Sequence, residues 1–411
     1  MDGDSVSERF SGSFTQQEPI PEDAIAAAVA VMRHGRLHRY NVMPGEVSEV
    51  AALELEFART VGARYCLAVA SGGYGLGCAL RALGVGPKEP VLTNAFTLAP
   101  VPGAIAGLGA VPVFVEVTDD LTIDFDDLAT KACDSGARVL MLSHMRGHIC
   151  DMDRLMAICA AAGLRVIEDC AHTMGADWGG VPSGRHGVIG CYSTQTYKHL
   201  NSGEGGLIVT DDADLMARAV LLSGSYMLYD RHIAAPGQAA FEALRLDIPN
   251  ISGRMDNLRA AILRPQLARL AERCDAWRAR YRAVEAGLAD VPGLRLIARA
   301  TDEGFVGSSF QFLLPGWRGE AVEDVVARCA ARGVELKWFG AREPAGFTST
   351  YRHWRYAGAG DLPQTDRVLA GLVDMRLPLT FSLDDCAQIA RIIRAEVGAV
   401  WQAGDAPGGS S

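Results

Sequence analysis

The chain has 411 residues, 49% of them hydrophobic and 21% charged, with a formal net charge of −10. At roughly 100–200 residues per domain this length predicts about two domains with a sizeable core. The acidic balance without a Lys/Arg cluster argues against a nucleic-acid partner, while leaving room for a local basic pocket. The ten cysteines show no CxxC pair or Cys/His ligand spacing, so no metal site is expected and they read as buried thiols of a reducing cytosol. The start, MDGDSVSERF, has neither the basic nor the apolar region of a signal peptide. Apolar runs such as Val111–Val117 fall short of the ~20 residues of a membrane span, so a cytoplasmic protein is expected.

Residues 1–20 are polar and read as a flexible segment. From Glu22 to about Ala82 the pattern is helical, interrupted by a turn over residues 36–41 (RLHRYN) and a strand at Cys66–Ala70. Strand candidates follow at Val91–Asn94, Val111–Val117, Val139–His144, Arg165–Cys170, Cys191–Thr194 and Leu207–Thr210. Between several of them lie helical periods such as Met152–Ala161, with apolar residues at Met152, Leu155, Met156 and Cys159. Alternating strands and helices predict an α/β domain, its mostly parallel sheet covered on both faces. Asp256–Leu288 reads as helices leading out of this domain, interrupted at Pro265. Beyond it come strands at Ser309–Leu314 and Val334–Trp338 and helices at Glu320–Arg332 and Leu383–Val397, an α+β pattern. The expected division is a large domain over 21–265, a smaller one over 266–400, and a disordered Gly/Ser/Pro-rich tail over 401–411.

Three motifs carry chemistry. Val166-Ile167-Glu168-Asp169-Cys170-Ala171-His172 places a carboxylate at the C-terminal end of an apolar strand, where open α/β sheets bind ligands. Such a carboxylate can equally cap a helix. In the run from Cys191 to Gly206, Lys198 follows a short strand and precedes a Gly-rich turn entering another strand. An enclosed lysine has its pKa lowered by desolvation, as a Schiff-base amine needs; an arbitrary loop lysine is simply solvated. Ala70-Ser71-Gly72-Gly73-Tyr74-Gly75 is a glycine-rich strand-to-helix turn, either a phosphate cradle or a mere tight turn. It is neither GxGxxG nor a Walker loop. Together a phosphate cradle, a strand-end carboxylate and an enclosed lysine are the parts that pyridoxal 5'-phosphate (PLP) chemistry requires.

On these motifs the sequence resembles the DegT/StrS family of fold-type I PLP enzymes, which contains sugar and cyclitol aminotransferases and the aminohydroxybenzoate synthases. The resemblance runs from about residue 30 to 395. It rests on Lys198 standing 29 positions after Asp169, on Gly203-Glu204-Gly205-Gly206, on RMDNLRAAILRPQL (254–267) and on the late Leu377–Thr380 block. It implies a large domain with a seven-stranded-type, mostly parallel sheet, a smaller α+β C-terminal domain, and an active site shared across a homodimer. By the same resemblance Lys198 is the Schiff-base lysine and proton shuttle, Asp169 binds the pyridine nitrogen, and His172 lies near the ring and its phenolic oxygen. Ser193 reaches the phosphate, with Ser71, Gly72 and Gly73 forming its loop. His144 either borders the active site or is a packed histidine.

Three positions depart from the family pattern. In Ala95-Phe96-Thr97-Leu98 a leucine stands where an aromatic residue often stacks on the cofactor ring. The phosphate loop reads Ser-Gly-Gly in place of Ser/Asn-Gly-Thr. In Ile251-Ser252-Gly253-Arg254-Met255, Ser252 replaces the asparagine that reaches the partner subunit's phosphate. The departures suggest an outlying branch and weigh against a nucleotide-sugar substrate. The reaction implied is a ping-pong transfer from glutamate or glutamine to a ketone acceptor: a keto sugar, a cyclitol ketone or a related intermediate. The family also holds sugar dehydratases, with histidine at the lysine position; Lys198 favours transamination over that alternative, and over a non-catalytic PLP-binding regulator. Lys337-Trp338-Phe339, the run Tyr351–Tyr356, and Arg231-His232 are candidates for an anionic or ring-shaped acceptor, or else a packed aromatic–Arg surface.

Overall fold

The computed structural model describes residues 8–358 and 360–403; most of the tail expected to be disordered, 404–411, lies outside the described residues. The sheet begins with β1 (Tyr65–Val69), β2 (Pro90–Asn94), β3 (Val111–Val115), β4 (Val139–Ser143) and β5 (Arg165–Asp169). A short hairpin, β6 (Asp177–Trp178) and β7 (Val181–Pro182), precedes β8 (Ile189–Ser193) and β9 (Gly206–Thr210). Seven of these strands form one sheet in the order β1-β9-β8-β5-β4-β2-β3. The neighbours from β8 through β3 run parallel, and β9 runs antiparallel to both β8 and β1.

Alternation along the strands explains why helices cover both faces. Leu92, Leu140 and Val166 enter one core, with Leu53 and Phe57 of the helix Glu49–Val61. Their neighbours Val91, Met141 and Ile167 enter the opposite core, with Leu76 and Leu80 of Gly72–Ala82 and Val220 of Ala213–Ser223. Polar N-caps fix the helix starts: the Ser48 hydroxyl accepts from Ala51 N at 3.1 Å, and Asp124, Asp151 and Asp212 cap three others.

The helices Asn257–Leu267 and Leu270–Leu288 break just beyond Pro265 and lead into the C-terminal part. There β10 (Arg295–Leu296), β12 (Ser309–Leu313), β13 (Lys337–Trp338) and β14 (Leu372–Arg376) make an antiparallel sheet, order β10-β12-β14-β13; β11 (Glu303–Gly304) pairs back onto β6. Its own core holds Phe310, Phe312 and Val322 with Ile389 and Ile393 of the helix Leu383–Gln402. That helix runs past the expected Val397. β14 escaped the sequence reading because Asp374 interrupts its apolar run; the structure buries Asp374 completely, against Arg146.

The expectation of a flexible segment over 1–20 fails for the described part. Phe10 and Phe14 are buried, each edge-to-face on Phe381 at 5.0 Å, and Phe10 N donates to Arg332 O at 2.8 Å. Two large aromatic side chains suffice to dock an otherwise polar segment, since each removes much apolar surface from water.

Candidate active site

The C-terminal ends of β4, β5 and β8 and the N-terminus of the helix Gly72–Ala82 surround a cavity of about 470 Å³. Ser71, Gly72, Gly73, Leu98, Asp169, His172, Ser193 and Lys198, all singled out in the sequence, line it. The turn after β1 is tight for a packing reason: a Cβ at Gly72 would stand 2.9 Å from Ser193 Cβ, and one at Gly206 about 2.7 Å from the Ser71–Gly72 backbone. Ser71 caps the helix, its Oγ accepting from Tyr74 N at 3.1 Å. The N–H groups of Gly72 and Gly73 then remain among the unpaired donors that every helix start presents, with the positive end of its dipole.

Asp169 ends β5. Its Oδ2 accepts from Ser143 Oγ at 3.0 Å and its Oδ1 from Ala171 N at 3.2 Å. Burial raises its pKa above the ordinary carboxylate value, opposed by these donors and by Lys198.

Lys198 lies in the turn after β8, its Nζ 2.6 Å from His172 Nε2. His172 Nδ1 accepts from Arg146 N at 3.1 Å, so the neutral ring carries its proton on Nε2, facing the amine. Burial and the Lys198 charge hold the His172 pKa well below its ordinary range, so this tautomer persists at neutral pH. Lys198 borders the cavity and is partly exposed as a residue, yet desolvation dominates at its amine. With the Arg146 charge added, its pKa falls to about 7, so much of it is an unprotonated base at neutral pH.

A second pocket of about 60 Å³ continues from the first, sharing Leu98, His172, Gln195, Lys198 and Phe347 and adding Arg146, Tyr197, Ser308, Ser309 and Arg376. Arg146 and Arg376 went unnoticed in the sequence. The signals were present: Arg146 stands three residues past the C-terminal end of β4, and Arg376 immediately before the Leu-Pro element.

The remaining candidates lie outside the first cavity. His144 is a packed residue, its Nε2 3.0 Å from Glu168 Oε2, and it lines neither pocket. Glu168 is consumed by His144 and the N–H groups of Gly184, His186 and Gly187. Arg231 donates to Tyr40 O and lines a separate cavity with Met43 and Val47; His232 is buried between Arg39 and Tyr40. Trp338 donates to Ala370 O at 2.7 Å and lines neither pocket. Tyr351 and Trp354 pack on Phe114, making the aromatic surface that was the alternative reading of that run. Lys337 lies near the second pocket, its Nζ 5.4 Å from the centre of the Phe347 ring. Ser252 sits on an exposed loop, bonded to Asn250, outside this chain's cavity.

A parallel-centred sheet with an enclosed lysine and a carboxylate at its strand ends defines a fold-type I PLP-dependent enzyme. The DegT/DnrJ/EryC1/StrS aminotransferase family model matches residues 20–394, and the chain belongs to that family. It is therefore a PLP-dependent aminotransferase. It is 28% identical over 340 residues to a putative L-glutamine:3-amino-2,3-dideoxy-scyllo-inosose aminotransferase of Micromonospora echinospora, covering 82% of this chain and 78% of the relative. It is 32% identical over 309 residues to the L-glutamine:2-deoxy-scyllo-inosose aminotransferase of Streptomyces fradiae, covering 75% and 72%. The crystal structure of an aminotransferase, TlmJ, from Streptoalloteichus hindustanus shares the fold with a TM-score of 0.80 at 23% identity, over 94% of this chain and 99% of that one.

Proposed function

We propose that this protein transfers an amino group from glutamine or glutamate to the ketone of a cyclitol or a related keto sugar, with PLP held through Lys198. The observation that carries the residue assignment is the Lys198 amine, brought to a pKa of about 7 on the wall of a cavity that also holds a strand-end carboxylate and a helix start. The relatives named for L-glutamine and inosose ketones support the donor and the cyclitol acceptor.

The residues present fit the cofactor. Gly72 and Gly73 N–H and the Ser193 hydroxyl would hold its phosphate, where the close approach of Gly72 to Ser193 leaves no room for a larger residue. Asp169 would hold a proton at the ring nitrogen, and Leu98 would cover the ring with apolar surface. When bound, PLP supplies an electron sink that makes the proton on the amine-bearing carbon labile. Lys198 then takes that proton at Nζ and returns it, acting first as base and then as acid, and a pKa near 7 suits both duties. His172, fixed through Nδ1, keeps the amine aimed. One cavity serves donor and acceptor in turn, which suits a ping-pong order.

The division into domains over 21–265 and 266–400 belongs to this reading; the separate C-terminal core around Phe310, Val322 and Ile389 supports a second domain, while Leu270 and Trp277 still pack in the core of the large one. A homodimer in the cytoplasm also belongs to this reading. Met43, Val47 and Ile233 are exposed around one surface cavity, with Met32, Tyr226, Met227 and Ile251 exposed in the same chain segments. By the family resemblance Ser252, the exposed residue after Ile251, would reach a partner's cavity. Among the described residues no helix is long and apolar enough to cross a membrane.

The test is an absorption spectrum of the protein with PLP, before and after glutamine, beside Lys198→Ala. A band near ~410–430 nm that moves toward ~330 nm with the donor supports the proposal. A band that no amino donor discharges returns the elimination reading, and a Lys198→Ala protein with the wild-type band overturns the role of Lys198.

A further inference from the structure

The second pocket carries more positive charge than its surroundings cancel. Asp374 is the carboxylate at its back, and both its oxygens are engaged: Oδ2 lies 2.8 Å from Arg146 Nη2, and Oδ1 accepts from Gln311 Nε2 at 2.7 Å. Gln311 is held in turn by His148 at 2.9 Å. Asp374 thus balances Arg146 and leaves Lys337 and Arg376 over. Lys337 Nζ is buried with no hydrogen-bond partner among the described residues. Arg376 lines the pocket with its guanidinium carbon 3.6 Å from the centre of the Tyr197 ring, and among the described residues it has no ion-pair partner. Phe347 lies against both cations, 5.4 Å from Lys337 Nζ and 5.2 Å from Arg376. Burial lowers the pKa of Lys337 to about 8, as expected of a cation short of a counter-charge.

Size and position narrow the ligand. At about 60 Å³ the space is small beside the roughly 470 Å³ of the first cavity, which suits a compact group such as a carboxylate. It opens beside Lys198 and His172, so the group it takes belongs to a molecule whose reacting carbon lies at Lys198. A planar guanidinium fixed on an aromatic face suits a carboxylate better than a hydroxyl.

We propose that the pocket lined by Arg376, Arg146, Tyr197 and Ser309 is a carboxylate-binding subsite, and that it takes the α-carboxylate of the amino donor. This rests on the aminotransferase reading above. Glutamine and glutamate both carry that group and a cyclitol ketone does not. The subsite therefore marks the donor, while the uncharged acceptor binds in the shared cavity without it.

The experiment follows each half-reaction of the holoenzyme by absorbance in wild type, Arg376→Met and Arg376→Lys. The donors are L-glutamine and 4-aminobutanamide, which is glutamine without its carboxylate; the acceptors are an uncharged cyclitol ketone and a keto acid. Arg376→Met should lower kcat/KM for glutamine about 10- to 100-fold, mainly through KM. It should leave 4-aminobutanamide and the cyclitol within about 3-fold, and Arg376→Lys should recover part of the loss. A loss confined to the keto acid, with glutamine unaffected, overturns the assignment of the subsite to the donor. Equal losses for glutamine and 4-aminobutanamide, or no loss at all, overturn it. An unchanged cofactor band and melting temperature show that the variant is folded. If no amino donor reacts with wild type, the function above fails by itself; maleate then probes the pocket by calorimetry. Binding that Arg376→Met abolishes sustains the subsite, and absence of binding overturns it.

Discussion

The depressed pKa of Lys198 makes the stability of the cofactor-free protein depend on pH in a way that one substitution removes. In the unfolded chain the amine titrates at its ordinary 10.5, and in the folded protein at about 7. Between those values the unfolded state binds one proton more than the folded state. Stability therefore rises with pH across that window, by about 1.4 kcal/mol per pH unit, and the cost of burying the charge is full below pH 7. Lys198→Met removes the group and its slope. From pH 7.5 to 9.5 the wild-type apoprotein should thus gain about 2.7 kcal/mol relative to Lys198→Met. The window lies above the depressed pKa of His172, so that ring does not change charge within it. Urea titrations of both apoproteins at pH 7.5, 8.5 and 9.5 measure the difference. Parallel profiles would refute the argument, because they would mean that the amine stays protonated where it sits.

Gly72→Ala must displace Ser193, whose Cβ would stand 2.9 Å from the new methyl, and should weaken PLP binding at least tenfold in a fluorescence titration. Gly73→Ala meets only Pro100 at 3.6 Å and should raise the melting temperature through the helix-propensity gain of about 1 kcal/mol. Asp169→Asn should slow both half-reactions, by about 10²–10³-fold in single-turnover absorbance, since the carboxylate serves donor and acceptor steps alike. Phe10→Ala should cost about 3–5 kcal/mol in urea unfolding of the C-terminal part, because its ring is buried against Phe14 and Phe381.

The sheet and the cavity's near wall were readable in the sequence, for physical reasons. A strand buried on both faces is a continuous apolar run, so the one expected over Val139–His144 stood out, as did the shorter apolar core Val166-Ile167 of the one expected over Arg165–Cys170, and the residue ending such a strand faces the ligand crevice. Asp169 follows from that rule and Lys198 from its place between two strands before a Gly-rich turn, whereas Ser193 came only from the family resemblance. What was hidden lies where charge is buried. β14 reads Leu-Val-Asp-Met-Arg, and no periodicity reveals that its aspartate is inside until the partner Arg146 is known, 228 positions earlier. For the same reason Trp338 and Arg231 looked like ligand groups. Their neighbours in sequence are aromatic and cationic, but their bonds go to the Ala370 and Tyr40 carbonyls.

That hidden pair links the C-terminal sheet to the base. Arg146 has φ 56°, a left-handed conformation that costs a non-glycine residue about 1–2 kcal/mol. Its side chain is anchored by the buried contact with Asp374, which lies on β14 of the C-terminal part. In that posture the Arg146 N–H meets His172 Nδ1, and the proton of the neutral ring is left on Nε2, 2.6 Å from the Lys198 amine. An ammonium at Lys198 would meet this N–H with hydrogens of its own, whereas the neutral amine accepts it. Arg146 also adds its own positive charge, the second cause after burial of the lowered Lys198 pKa. Seating of the C-terminal part and the protonation state of the base are therefore coupled through one strained residue, which acts by its backbone on the histidine and by its charge on the lysine.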